Sequence, residues 1–161
     1  MRRSSLITLH AASGSVALLT ISTFWTAALL SELALGPSGI AAVRTAILYA
    51  LPVLVAALAV AGGSGGRLAG RSAAPIIRGK QRRMKLAAAN GLLVLVPSAV
   101  FLAWKARHGA FDAAFATVQA VELVAGATNI VLLGLNMRAG MRMRARRTRV
   151  RAQASKSGAV A

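Results

Sequence analysis

Cysteine is absent from the 161 residues, which removes disulfides, thiolate metal ligands and thiol nucleophiles. Acidic side chains are almost absent too: three Asp and Glu stand against 20 Lys and Arg, a formal net charge of +17. With two histidines in addition, the chain cannot assemble a nucleophile, base and orienting group or a three-ligand metal site. It is therefore read as non-enzymatic, with no metal and no cofactor. Aromatic residues make up 4% of the chain, too few to interleave base-stacking rings with the basic groups. The high charge is not read as a nucleic-acid interface, because the basic residues avoid the long apolar runs and gather between and after them.

Apolar residues are what the chain has in quantity: 57% hydrophobic, 14% charged, mean hydropathy +0.64. A bilayer-spanning helix needs about 20 mostly apolar residues. Four runs qualify: Leu9 to Leu30, Ile40 to Ala61, Leu86 to Trp104 and Ala113 to Leu135. Two of the three connections are short, so the expected fold is an all-α, integral membrane four-helix bundle with antiparallel neighbours. The spans make up a membrane domain over 1–141, and 142–161 is a basic tail.

Lysine and arginine are distributed unequally between the two sides. Two precede the first span, seven lie between the second and third, and eight follow the fourth, so 17 share one side. The other side holds three, Arg44, Lys105 and Arg107, with the acids Glu32 and Asp112. The positive-inside rule then places both termini in the cytoplasm of a multi-pass bacterial inner-membrane protein. The first run is longer than a signal-peptide core of about 7–15 residues, which favours a retained span over a cleaved leader. Trp25, Trp104 and Phe111 fall at outer span ends, where aromatic rings favour the interface. Pro52 and Pro97 remove backbone donors inside the second and third spans and are expected to kink them.

The glycine-rich, basic stretch 61–85 lacks the G-K-[ST] of a phosphate loop and reads as a flexible connector. RMRARRTRVR (142–151) reads as a partly disordered tail. Arg82, Arg83, Arg142, Arg146 and Arg147 are expected at anionic lipid headgroups.

Ionisable groups inside a span face the bundle interior or a cavity. On the fourth span Gln119, Glu122, Gly126, Asn129 and Asn136 recur at helical spacing and share one face. Small residues and amides on such a face suit helix–helix contact. Arg44, one turn into the second span from the same side, is the available partner for Glu122. Arg44, Gln119, Glu122 and Asn129 thus form the expected intramembrane polar seam. It serves to lock helices, to form a proton or ion path, or to bind a partner subunit.

His10 opens the first span, with Asn90 and Asn129 expected at similar depth. Interfacial hydrogen bonding, contact with a quinone or lipid headgroup, and haem ligation are all open to His10, and Asn90 is a further possible ligand contact. His108 lies at the opposite face, about 30 Å away, so the two histidines cannot share one haem.

The phrases LHAASGSVALLTISTFW (9–25), AANGLLVLVP (88–97) and VELVAGATNIVLLGLNMRAG (121–140) resemble an uncharacterised family of small four-helix bacterial inner-membrane proteins. That resemblance covers about residues 9 to 141 and implies the same architecture without an activity. The HAASG opening is similar to the first helix of membrane b-type cytochromes. The residues thus point first to an accessory or assembly subunit of a larger membrane complex or a homo-oligomer. A small transporter using Glu122 and Arg44 comes second, and a haem or quinone module at His10 third.

Overall fold

The structure, a computed structural model, describes residues 3–70 and 75–157. Four long helices account for almost all of them: α1 (Arg3–Ala34), α2 (Pro37–Ala69), α3 (Pro75–Arg107) and α4 (Ala113–Ser157). Each contains a segment long and apolar enough to cross a membrane. At 1.5 Å per residue the 33 residues of α2 extend about 50 Å, against about 30 Å of hydrocarbon. The helices therefore continue for several turns beyond the apolar runs that define them.

The connections are correspondingly short. Leu35 and Gly36 join α1 to α2, whose first helical residue is Pro37, where a missing N–H costs nothing. The α3–α4 turn contains Gly109 at φ 66°, a left-handed conformation that suits glycine. In that turn Asp112 caps α4: its carboxylate accepts from the Phe115 backbone N–H at 3.0 Å and pairs with Lys105. Both contacts favour the ionised form, so the Lys105 ammonium and the Phe115 N–H hold the Asp112 carboxyl below its ordinary range.

In sequence order the helices form a ring. Each packs on its neighbours, α1 also packs on α4, and the pairs α1/α3 and α2/α4 lie across the diagonals. The core is lined by small and branched residues, among them Ala17, Ile21, Leu54, Ala57, Ala99, Leu102 and Leu133. The polarity of the fold is inverted relative to a water-soluble bundle. Leu19, Leu33, Tyr49, Leu93 and Val124 project outward, while Arg44, Ser31, Asn129 and Asn136 are buried. Among the described residues this is the pattern of a multi-pass membrane protein, whose outer surface meets hydrocarbon.

Three expectations about local structure are corrected. The glycine-rich connector is mostly helix: α2 runs through GGSGGRLA to Ala69 and α3 starts at Pro75. Its glycines cost helix propensity, about 1 kcal/mol each, but one of them, Gly65, allows close approach of α1. A Cβ at Gly65 would come within 2.9 Å of the His10 ring. The basic tail is likewise helical, as an extension of α4 to Ser157. Trp25 does not sit outward at the interface. Its ring lies against Gly126, and its indole N–H donates to the Leu123 carbonyl at 2.8 Å, tying α1 to α4. A ring that size fits there only because residue 126 has no side chain.

The prolines act differently from each other. α2 stays helical over Pro52. In α3 a π turn, Gly91–Leu95, precedes Pro97, and the Val96 N–H reaches back to the Gly91 carbonyl. Proline cannot donate to the carbonyl of Leu93, and the wider turn accommodates that gap.

Two tests follow from these contacts. A Cβ at position 126 would lie 2.8 Å from Trp25 Cδ1, so Gly126→Ala should destabilise the bundle by about 1–3 kcal/mol through overpacking. In a Trp104→Phe background, a red-shifted Trp25 emission should accompany the lower melting temperature; unchanged emission would contradict the packing. Asp112, with its lowered pKa, stabilises the start of α4 above the ordinary carboxylate range, and that contribution is lost as pH falls through the lower folded value. Amide exchange at Phe115 should therefore accelerate under acid relative to the middle of α4, and in Asp112→Ala it should be fast at every pH.

Candidate functional site

α4 presents one polar face to all three other helices. Gln119, Glu122, Gly126, Asn129, Leu133 and Asn136 follow one another down that face at spacings of three and four. Each level meets a different partner.

At the turn end the partner is Arg44 of α2, whose side chain crosses the α2/α4 diagonal. Arg44 is 2% exposed. Its Nη1 pairs with the Glu122 carboxylate, and its Nη2 donates to Gln119 Oε1 at 2.9 Å. The same Nη2 stands 3.5 Å from Glu32 Oε1 of α1. The ring of Phe115 lies beneath the guanidinium, 5.9 Å from Cζ to centroid. Nε is buried without a hydrogen-bond acceptor. Three helices therefore converge on one cation, and two carboxylates share it.

One level down, Trp25 fills the gap at Gly126. Below that, Asn129, fully buried, is clamped to α3. Asn90 Nδ2 donates to Asn129 Oδ1 at 2.9 Å and to the Ala125 carbonyl at 2.8 Å, while Asn129 Nδ2 donates to the Ala87 carbonyl at 3.1 Å. These ties satisfy the Asn129 side chain within the protein, as hydrocarbon requires. The clamp sits beside the π turn. A shallow, open groove lies outside it between α3 and α4, lined by Asn90, Val94, Ala120, Val124 and Thr128.

At the end where α1 starts and α2 finishes, His10 lies against α2. Its Nδ1 is 3.0 Å from the Ala61 carbonyl and 3.3 Å from Ser64 Oγ, and its Nε2 is 3.1 Å from Lys80 Nζ of α3. Lys80 can only donate, so Nε2 is the acceptor and Nδ1 carries the proton towards Ala61. Both ring nitrogens are thus engaged. Arg83 Nε donates to Asn136 Oδ1 at 2.9 Å, joining α3 to α4 nearby.

Arg44, Gln119 and Glu122 come together, and Asn129 continues the same face at a separate level with Asn90. His10 and Asn90 do not meet. Asn90 is ten residues past Lys80, about 15 Å further along α3, so the expectation of similar depth is corrected. Arg82 and Arg142 are exposed, whereas Arg83 is half-buried in the α3–α4 contact. The side chains of Arg146 and Arg147 lie outside the described residues.

Two participants escape a reading by hydropathy. Glu32 falls two residues beyond the first apolar run and reads as a loop charge, yet α1 continues to Ala34 and presents it to Arg44 across the two-residue turn. Its spacing from Arg44, 12 residues across a tight helical hairpin, was the available signal. Lys80 reads as a connector charge until the connector proves helical. No protein family, curated protein or solved structure matches the chain.

The Arg44 cluster makes an asymmetric prediction. Arg44→Gln leaves two carboxylates facing each other inside the bundle and should cost about 3–5 kcal/mol. In Glu122→Gln an amide oxygen still accepts and Glu32 remains as counter-charge, so the loss should be about 1–3 kcal/mol. Denaturation midpoints in one detergent give the comparison; equal losses for the two variants would contradict the shared-cation geometry.

Proposed function

We propose that this protein is a non-enzymatic, multi-pass subunit of the bacterial inner membrane, with both termini cytoplasmic, acting as an accessory or assembly partner in a larger membrane complex. The observation that carries this reading is how its intramembrane polar groups are used. Arg44, Glu32, Glu122, Gln119, Asn90 and Asn129 bond mainly to one another and to backbone carbonyls, tying four helices into one body. Such a body offers a membrane partner a preformed surface. The groove between α3 and α4, with Ala120, Val124 and Thr128 on its α4 side, has the small and hydroxyl-bearing residues that favour close helix approach. The 17-to-3 division of Lys and Arg supports the orientation.

A second reading rests on one specific observation. Two carboxylates flank a single guanidinium, so the cluster carries one negative charge in excess when both are ionised. A proton or a small cation would balance it, and a protein that moves such an ion could use Glu122 and Glu32 as stations beside Arg44.

One pair of variants separates the readings. The tagged chain, extracted from native membranes in mild detergent, should migrate with another membrane protein, and Ala120→Leu, which fills the groove without touching the Arg44 cluster, should release it. Glu122→Gln should leave that association intact. A chain that runs alone from native membranes would defeat the subunit reading. Loss of proton or cation flux in Glu122→Gln proteoliposomes, with assembly unaffected, would establish the second.

A further inference from the structure

The end of the bundle that carries His10 has basic side chains and no acidic ones. We infer that Lys80, Arg83 and Asn136, with His10 positioning Lys80, form a binding site for a phosphate group at this end of the bundle. This inference does not depend on the subunit reading.

Charge comes first. The chain's three acids are Glu32, Asp112 and Glu122, and all lie towards the turn end. The one nearest Asn136 along α4 is Glu122, 14 residues away, about 21 Å along the axis. Lys80 is half-buried between α1 and α4: its ammonium contacts His10 Nε2 at 3.1 Å and lies 3.7 Å from where a Cβ on Gly140 would stand. The imidazole gives it a neutral acceptor but no counter-charge. Arg83 spends Nε on Asn136 Oδ1 at 2.9 Å. No acidic side chain lies at this end for its two terminal nitrogens to meet.

The second observation is independent of charge. Asn136 is 5% exposed, and its Nδ2 is buried without an acceptor. An unused buried donor costs free energy, and here it belongs to the side chain that Arg83 touches, with Lys80 one helical turn before Arg83 on α3. Ammonium, guanidinium and amide N–H groups converging without an acidic partner are the chemistry that recognises a phosphate oxyanion. The position suits a phosphodiester at the membrane surface, because Lys80 and Arg83 immediately precede the apolar run that begins at Leu86. A lipid headgroup and a free phosphate present the same oxygens.

The test uses the full chain in phosphatidylcholine nanodiscs, with phosphatidylglycerol or inorganic phosphate added in separate arms. Wild type should be stabilised against heat, and Lys80→Gln or Arg83→Gln should weaken the apparent affinity about fivefold each, equivalent to about 1 kcal/mol per basic residue. Arg142→Gln, at an exposed position on the same side, should change it far less. Stabilisation by phosphatidylglycerol alone assigns the site to a lipid headgroup, and stabilisation by inorganic phosphate assigns it to a soluble anion. An unchanged response in both site variants, or an equal loss in Arg142→Gln, overturns the proposal. Should the variants not fold, dipolar recoupling between 15N-lysine side chains and 31P in the wild type decides it: a Lys80 Nζ contact supports the site, and its absence rejects it.

Discussion

A guanidinium buried among four membrane helices dictates most of what surrounds Arg44. Moving a charge out of water costs several kcal/mol unless it is paired and its donors are satisfied. The side chain therefore needs acceptors from more than one direction, and three residues on two other helices supply them: Glu122 and Gln119 from α4, Glu32 from α1. The backbones of α2 and α4 do not approach each other closely, since the two helices stand on a diagonal of the ring. The reach of an arginine stem closes that diagonal and, unlike an apolar contact, demands a specific partner. Register follows. Sliding α4 by one turn would strand the guanidinium, so this contact fixes depth as well as adjacency.

The other diagonal is closed by the same device at the opposite end. There Lys80 of α3 meets His10 of α1. The two cross-braces differ in their counter-charges. At the turn end one cation has two carboxylates, while at the end bearing both termini the basic side chains meet no Asp or Glu. Between them lies the neutral clamp of Asn90 and Asn129, where no charge needs balancing. Charge is thus segregated along the bundle axis, acid-rich at one mouth and donor-rich at the other. An anionic leaflet and the positive-inside rule act on a protein in that sense.

How much of this could be read from the sequence depended on which physical rule each residue obeys. The α4 stripe was legible because helical periodicity alone sets it, and the Arg44–Glu122 pairing because depth in the membrane can be counted from the span ends. Glu32 was not, because hydropathy marks where apolar residues stop and not where the helix stops; α1 continues past Leu30 to Ala34. The glycines at 62–66 read as a loop on propensity, yet α2 continues through them and Gly65 packs against the His10 ring. Trp25 followed neither hydropathy nor the aromatic belt. A slot opened by a glycine on another helix decided its position, and single-sequence reading has no access to that pairing.

The π turn in α3 has the same kind of tertiary cause. Below it the inward residues of α3 are Lys80, Arg83, Ala87 and Asn90; above it they are Ser98, Ala99, Leu102, Ala103 and Ala106. On an uninterrupted α-helix those two sets would point about 100° apart, one residue out of phase. A π turn holds one residue more than an α turn and rotates the upper half back by about that amount. Pro97 makes the site available by removing the N–H that would have closed the regular turn at Leu93. The clamp at Asn90 and the packing around Leu102 then both face the bundle, which a straight helix of this sequence could not achieve. The irregularity is therefore what lets one helix meet α4 along its polar face at one end and along its apolar face at the other.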